Sequence, residues 1–358
     1  MTRPTRNDVA RRAGVSTAVV SYVLNDGPRP VAAPTRARVL RAIEDLGYRP
    51  NASARALKLA RTGVIGLFVP DIANPFFAAF AQHVQDQAQK RDLAVMIGNT
   101  GLDPDREETQ LGSIIERQVD GLIAFGIKGA AQLDRLITSG IPLVSMDWQL
   151  QDGSVPTIVA DDYGAARTVI EHLIGHGHQQ IAFIGGPEDL QVSGARRDAW
   201  RAAVLPGLDD AAAQHLAVST EFSLEGGYNG YITIHEQLGR HPQALFASSD
   251  VQAIGAIRAA TDLGLSVPSD LAVVSFDGTQ VGQFSVPSLT AVRLPLELMA
   301  EHALQKVLQG PGKLGLHSTV PHTLVVGESC GCARQRRQSV SPDSTSKAVD
   351  EDSSHLPD

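Results

Sequence analysis

The sequence predicts an α/β protein. A three-helix head of the helix-turn-helix type precedes a larger body built on a doubly wound parallel sheet. Three observations carry this. Residues 5–47 hold three short apolar stripes at helical spacing, with a glycine between the first two. From about residue 63, short apolar runs alternate with longer amphipathic ones, the pattern of strand and helix in βαβ units. The charge is also segregated. Residues 1–61 hold twelve Lys and Arg against four acids, a net +8, so the other 297 residues carry −16 within the overall −8. A basic head on an acidic body implies a polyanion-binding module joined to something else.

In the head, Thr5 followed by Asp8 reads as a capping box with Asp in place of Glu. Val9, Ala10 and Ala13 form the stripe of a first helix, and Gly14 ends it in the left-handed conformation. Ser16 then N-caps a second helix, Thr17 to Leu24, with Val15, Val20, Val23 and Leu24 inward. A third runs from about Pro34 to Leu46, its stripe being Val39, Ala42, Ile43 and Leu46 and its end Gly47. Thr17, Ala18, Ser21 and Tyr22 face outward near the start of the second helix, where this motif reaches base edges. A plain three-helix cap with a solvated face would show the same stripes. The charge of the head favours DNA.

After Tyr48 comes RPNASARALKLART, with Asn51 a candidate cap and Ala52 to Ala60 of helical propensity. Nine residues are too few for a stable isolated helix, so the segment reads as a linker that orders only when braced.

In the body, strands are expected at 64–69, 93–99, 119–125, 141–147, in TIVAD, and at 179–186, 244–250 and 271–278. Helices are expected at 78–91, 105–117 and 130–139. Near-continuous apolar strands fit a sheet buried on both faces. The strands are many for one sheet and fall into two similar series, which reads as two lobes. Ligands of such sheets sit at the carboxyl ends of strands. The candidates there are Asn74, Phe76 and Phe77 after the first strand, and Asp147 and Trp148 after the fourth. Arg196 follows IGGP, Phe222 precedes Gly226, Ser249 and Asp250 follow FAS, and Asp277 follows VVSF. Aromatic faces suit sugar C–H surfaces or flat bases, and Asp and Arg suit hydroxyl pairs. Asp250 serves equally well as a helix N-cap, and Phe77 and Trp200 read as core.

No Walker loop, nucleophile elbow or zincin motif occurs, so no enzyme and no cofactor is expected. His172, His176 and His178 read as a helix end, a turn and the next strand rather than as a metal site. Cys330 and Cys332 are too few for structural zinc and poorly spaced for a disulfide, so no metal is expected. The N-terminus lacks the apolar stretch of a signal peptide, which implies a cytoplasmic protein with no membrane partner.

The stretch NDVARRAGVSTAVVSYVLN, followed by VLRAIEDLGYRPNASARALK, resembles the DNA-binding head of LacI/GalR-family transcriptional regulators. VPDIANPFF, VDGLIAF, DDYGAARTVIEHLIGHGHQQIAFIGGP, FASSDVQAIGAI and VVSFDG resemble the family's marker stretches. The resemblance covers about residues 5–332 and implies a two-lobed periplasmic-binding-protein-like effector domain. The expected parts are a head at 1–49, a hinge at 50–62, and a body at 63–333. Lobe 1 is expected at about 63–160 and 291–321, and lobe 2 at about 161–290 and 322–333. The tail, 334–358, is rich in Ser, Asp and Pro and reads as disordered.

The resemblance implies that Thr17, Ala18 and Tyr22 read the major groove. It places Ser16, Ser21, Asn25, Thr5 and Arg29 at the DNA backbone. In the hinge, Leu57 would wedge into the minor groove beside Ala54, with Asn51, Arg55 and Lys58 close to the duplex. Arg196 and Asp277 match ligand-contacting positions, and Phe76, Asp147, Phe222 and Ser249 match positions that contact ligand in some members. Three departures stand out: Val19 where Thr is frequent, Tyr22 where Arg or His is frequent, and Ser249 where Asn is frequent. Leu190 and Val192 replace polar residues of purine-binding members, which weighs against a purine. The function implied is a ligand-responsive repressor, a homodimer on near-palindromic double-stranded operator DNA, controlled by a small molecule, a sugar or sugar derivative, in an interlobe cleft. The alternative is a secreted solute-binding protein, which the basic head argues against.

Overall fold

The computed structural model describes residues 4–25, 29–49, 61–127, 130–148, 155–204, 213–309 and 316–332. The expectations for Asn51, Ala54, Arg55, Leu57 and Lys58, and for the tail, lie outside the described residues.

The head comprises α1 (Arg6–Ala13), α2 (Thr17–Asn25) and α3 (Ala33–Leu46). Asp8 holds the start of α1, its carboxylate accepting from the Thr5 N–H at 2.9 Å and from the Thr5 hydroxyl at 2.7 Å. Gly14 ends α1 at φ +66°, and the turn closes when the Val15 N–H donates to the Ala10 carbonyl at 3.0 Å. Val9, Ala10, Ala13, Val20, Val23, Val39 and Ala42 form one buried cluster. Tyr48, which no stripe foretold, joins it from just beyond α3.

The body forms two six-stranded sheets. The first is ordered β11-β5-β4-β3-β1-β2 and wholly parallel, from β1 (Val64–Val69), β2 (Ala94–Asn99), β3 (Gly121–Ala124), β4 (Leu143–Ser145), β5 (Thr157–Ala160) and β11 (His317–Val320). The second is ordered β12-β10-β9-β8-β6-β7, from β6 (Ile181–Gly185), β7 (Ala217–Ser219), β8 (Ala244–Ala247), β9 (Ala272–Asp277), β10 (Thr290–Arg293) and β12 (Thr323–Val325). Only β12 runs antiparallel, against β10. Between strands lie α4 (Pro75–Gln89), α5 (Pro104–Glu116), α6 (Ala130–Ser139), α7 (Asp162–Gly175), α8 (Gln191–Val204), α9 (Leu224–Leu238), α10 (Asp250–Asp262), α11 (Gln280–Phe284) and α12 (Leu296–Gln309).

The described residues fall into two compact units. One lies within Met1–Tyr163, Glu188–Ala195 and Leu294–His322, the other within Gly164–Pro187, Arg196–Arg293 and Thr323–Asp358. In each sheet the chain starts one strand in from an edge, lays the next strand on that edge and continues on the other side. The strand order therefore reverses between β1 and β3 in one sheet and between β6 and β8 in the other. That reversal opens a crevice at the carboxyl ends of the strands. In the second unit Phe183 stacks on Trp200 at 5.5 Å, and the Trp200 indole N–H donates to the Ile181 carbonyl at 2.8 Å, so Trp200 is core as expected.

Several expectations are corrected. β3 and β4 are shorter than the apolar runs that announced them, because Val119, Phe125 and Met146 are buried from loop conformations. β7, β10, β11 and β12 were not expected; at three or four residues each they are too short for a period-2 signal. Cys330 and Cys332 do not form an isolated pair. His172 and His176 stand against them, and the four donor atoms all lie within 4.8 Å of one another.

Candidate functional sites

The DNA-facing candidates sit at the start of α2. Thr17 and Ala18 are exposed, and Ser21 and Tyr22 are half-buried, while Val20 and Val23 of the same helix are in the core. The Ser16 hydroxyl receives the Val19 N–H at 3.4 Å, a long capping bond, and Ser16 is itself exposed. Thr5 and Arg29 are exposed, and the side chain of Asn25 lies outside the described residues. The Thr5 hydroxyl is committed to Asp8, so the group it can offer a phosphate is the helix start, whose first N–H groups have no intrahelical partner. Those Thr5 bonds, chiefly, and the nearby Arg11 guanidinium hold the Asp8 carboxyl below the usual carboxylate range.

In the first unit, the Asn74 side-chain oxygen accepts from the Phe76 N–H at 3.0 Å and caps α4. Phe76 and Phe77 are half-buried and pack edge-on against Phe125, at 6.2 and 5.1 Å between ring centroids. Phe77 is therefore part of an aromatic cluster as well as of a strand-end surface. Asp147 accepts from the Gly126 N–H at 2.9 Å. The Trp148 indole N–H is buried and has no hydrogen-bond partner among the described residues. A buried donor left unmade costs about 1–3 kcal/mol, so an acceptor placed there would be bound with advantage. Trp148 lines a cavity of about 310 Å³ with Ile127, Leu190 and Val192 as apolar wall and Asp147, Asp189 and Gln191 as polar groups. Asp189 and Gln191 were missed in the sequence, because the loop after β6 has no periodicity. Its size is at the lower end for small-molecule sites.

In the second unit, Arg196 is buried and its Nη1 donates to the Ser248 carbonyl at 2.7 Å. Its guanidinium carbon stands 3.6 Å above the Phe276 ring, a cation–π contact that fixes the plane of the fork. Asp277 ends β9 at φ +102°, a region a non-glycine residue rarely occupies. Its Oδ2 accepts from the Asp250 N–H at 3.4 Å, so the carboxylate at this strand end is held from within the fold. Two candidates have partners within the fold. The Ser249 hydroxyl caps α10, accepting from the Gln252 N–H at 3.3 Å and donating to the Gln252 side-chain oxygen at 3.0 Å. Asp250 lies just inside the helix, so the cap is Ser249. Its carboxylate accepts from the Ser275 hydroxyl at 2.5 Å and from the Thr279 N–H and hydroxyl at 2.6 Å each. Burial pushes the Asp250 carboxyl upward, and those hydrogen bonds oppose it. Asp250 thus locks the loop that follows Asp277.

Gln252 does comparable work nearby. Its amide donates to Gly185 and Glu221 carbonyls and to the Thr220 hydroxyl at 2.9, 3.2 and 2.9 Å, fixing the loop that carries half-buried Phe222. Among the described residues the buried hydroxyls of Ser248 in this unit and Ser193 in the first have no hydrogen-bond partner, two polar groups that sequence reading passed over.

A helix-turn-helix head with an exposed recognition face, followed by two α/β units of matching strand order, defines a DNA-binding regulator of transcription. Residues 5–51 match the model of bacterial regulatory proteins of the lacI family, and residues 170–330 match that of a periplasmic binding protein-like domain. Catabolite control protein A of Staphylococcus xylosus is 36% identical over 81% of this chain and 87% of its own. The HTH-type transcriptional repressor PurR of Proteus mirabilis is 33% identical over 85% of this chain and 89% of its own. The solved transcriptional regulator CelR–cellobiose complex superposes with a TM-score of 0.67 at 28% identity, over 91% of this chain and all of that one. The chain belongs to the lacI family of bacterial regulatory proteins. No helix among the described residues is long and apolar enough to cross a membrane.

Proposed function

We propose that this regulator is a repressor that binds a near-palindromic operator as a homodimer and that a small molecule, a sugar or sugar derivative, sets its grip. The observation that carries the reading is the pairing of Arg196, held flat over Phe276, with Asp277 at a strained strand end in the same unit. A guanidinium and a carboxylate so fixed suit adjacent hydroxyls, which accept from one and donate to the other. The solved CelR complex contains cellobiose, which favours a carbohydrate, and apolar Leu190 and Val192 in the cavity wall disfavour a purine. PurR among the relatives keeps the purine class as the competing arm of the test.

A two-fold protein matches a two-fold site, so each head reads half of an inverted repeat. The hinge, 50–62, connects head and sensor, and the ligand acts by favouring one arrangement of the pair over the other. The site of action is the bacterial cytoplasm.

The test is a thermal-shift screen of sugars and purines on the full-length chain, followed by operator binding with the compound that raises Tm. At a hundredfold excess over Kd a single-site ligand adds about 2.7 kcal/mol to stability. The reading expects a carbohydrate to shift Tm and to change operator affinity. It also expects affinity to fall steeply with salt, because phosphate contacts release counterions. A protein with no preference for any inverted repeat over random duplex, with or without metabolites, would overturn it.

A further inference from the structure

The four side chains His172, His176, Cys330 and Cys332 are distant in sequence and adjacent in space. His172 lies in the last turn of α7 and His176 just beyond it, so i,i+4 spacing brings their rings to 4.7 Å on one face. Cys330 and Cys332 follow β12, separated by Gly331 at φ +92°. That left-handed residue turns the chain between two cysteines that share one pair of histidines. The His172 Nε2 to Cys330 Sγ distance is 3.2 Å, His172 Nε2 to Cys332 Sγ 3.7 Å, and His176 Nε2 to Cys332 Sγ 3.2 Å. A tetrahedral zinc ion with Zn–S about 2.3 Å and Zn–N about 2.0–2.1 Å requires N···S edges of about 3.6 Å. The three observed N···S edges bracket that value, and all four donor atoms lie within 4.8 Å of one another.

The thiol side is held independently of the histidines. The Thr290 hydroxyl donates to Cys330 Sγ at 2.9 Å and accepts from the Gly327 N–H at 2.8 Å. The neighbouring Ser329 hydroxyl donates to the Val273 carbonyl at 2.6 Å and accepts from the Thr290 N–H at 2.9 Å. Such outer hydrogen bonds are what orient and stabilise thiolate ligands at metal centres. Cys330 is buried, Cys332 and His172 are half-buried and His176 is exposed, so an ion has an entry path from solvent.

We infer that His172, His176, Cys330 and Cys332 form a tetrahedral site for a borderline divalent cation, zinc(II), that ties the C-terminal segment 327–332 to the end of α7. Two imidazoles with two thiolates select zinc over hard cations. Four protein ligands leave no open position, which makes the site structural rather than catalytic. Binding takes the two thiol protons to solvent and involves no change of oxidation state. The site lies within the second unit and does not depend on which effector is bound.

The experiment uses the full-length chain, purified without chelator or metal-affinity resin. Elemental analysis is expected to find one zinc per chain. Replacement by cobalt(II) is expected to give the intense visible bands of a tetrahedral ion together with thiolate-to-cobalt charge transfer. His176→Gln and Cys332→Ser alter groups outside the core, so their far-UV circular dichroism should stay that of the wild type. Each should weaken cobalt by more than the roughly 10–100-fold that loss of an outer partner costs. Zinc well below one per chain with only weak octahedral cobalt bands would overturn the inference. So would wild-type affinity in both variants, or a Cys330–Cys332 disulfide in the purified protein.

Discussion

Gly227→Ala tests whether contact between α9 and α10 sets both the stability of the second unit and the loops around its strand ends. A Cβ at 227 would lie 2.0 Å from the Gln252 carbonyl oxygen, and one at 255 would lie 2.0 Å from that of Leu224. Both obstacles are backbone, so no side chain can rotate away. Ordinary contact is about 3.5 Å, so the helices must part by roughly 1.5 Å. Overpacking costs about 1–3 kcal/mol, and a backbone obstacle places this variant near 3. Removing a helical glycine returns about 1 kcal/mol, leaving a net loss of about 2 kcal/mol. Urea unfolding at unchanged m reads that loss as a lower midpoint. Gly112→Ala in α5 is the control, since its Cβ would meet nothing within 4 Å; it should gain up to about 1 kcal/mol. The double variant at 227 and 255 should lose less than the two singles together, because the first already opens the gap. Gln252 carries the loop before Phe222, so effector affinity should fall in parallel. If Gly227→Ala is as stable as wild type, or follows Gly112→Ala, the helix-contact reasoning is wrong.

Tyr22→Ala should erase a preference of about 0.5–1.5 kcal/mol, the worth of one hydrogen bond, at one base pair per half-site while leaving salt-dependent binding in place; competition among operators varied pair by pair reads this, and a uniform loss at every pair would refute it. Arg196→Ala should abolish the effector-induced change in Tm and in operator affinity, with operator binding by the free protein retained; an unaltered response would remove Arg196 from the site. The Asp8 carboxyl is held below its ordinary value by Thr5 and Arg11, so its contribution is full above an unfolded pKa of about 3.9 and is lost as pH falls through the lower folded value. Asp8→Asn should therefore destabilise the head at neutral pH, with the difference from wild type vanishing in acid; a difference independent of pH would contradict the assignment.

The head was legible almost residue by residue, because each helix shows an apolar stripe and local signals mark most of their ends. Thr5 with Asp8, Gly14, Ser16 and Pro34 all act locally, and local signals survive in a sequence. The sheets were legible where strands are long and apolar, as at 64–69 and 272–277. They were not at HSTV or AVS, where pairing with a distant strand decides the conformation. The strand-end candidates divide on the same principle. A sequence shows that Ser249 and Asp250 follow a strand, yet not that Gln252 and Thr279 occupy them. The histidine–cysteine cluster was illegible for the plainest reason: 158 residues separate His172 from Cys330, and each pair alone looks incidental.

The last strand of each sheet comes from the final stretch of chain, β11 at His317–Val320 beside β5 and β12 at Thr323–Val325 beside β10. The core of the head, by contrast, draws only on residues between Val9 and Tyr48. A ribosome releasing this polypeptide therefore finishes the part that recognises a gene hundreds of residues before either half of the sensor is whole. A message broken between codons 294 and 317 yields a product whose sheets end in raw strands, β5 and β10, with unpaired backbone. Bare edges of that kind invite clumping and degradation. The final strands thus decide whether each sheet ends on a paired or a bare edge.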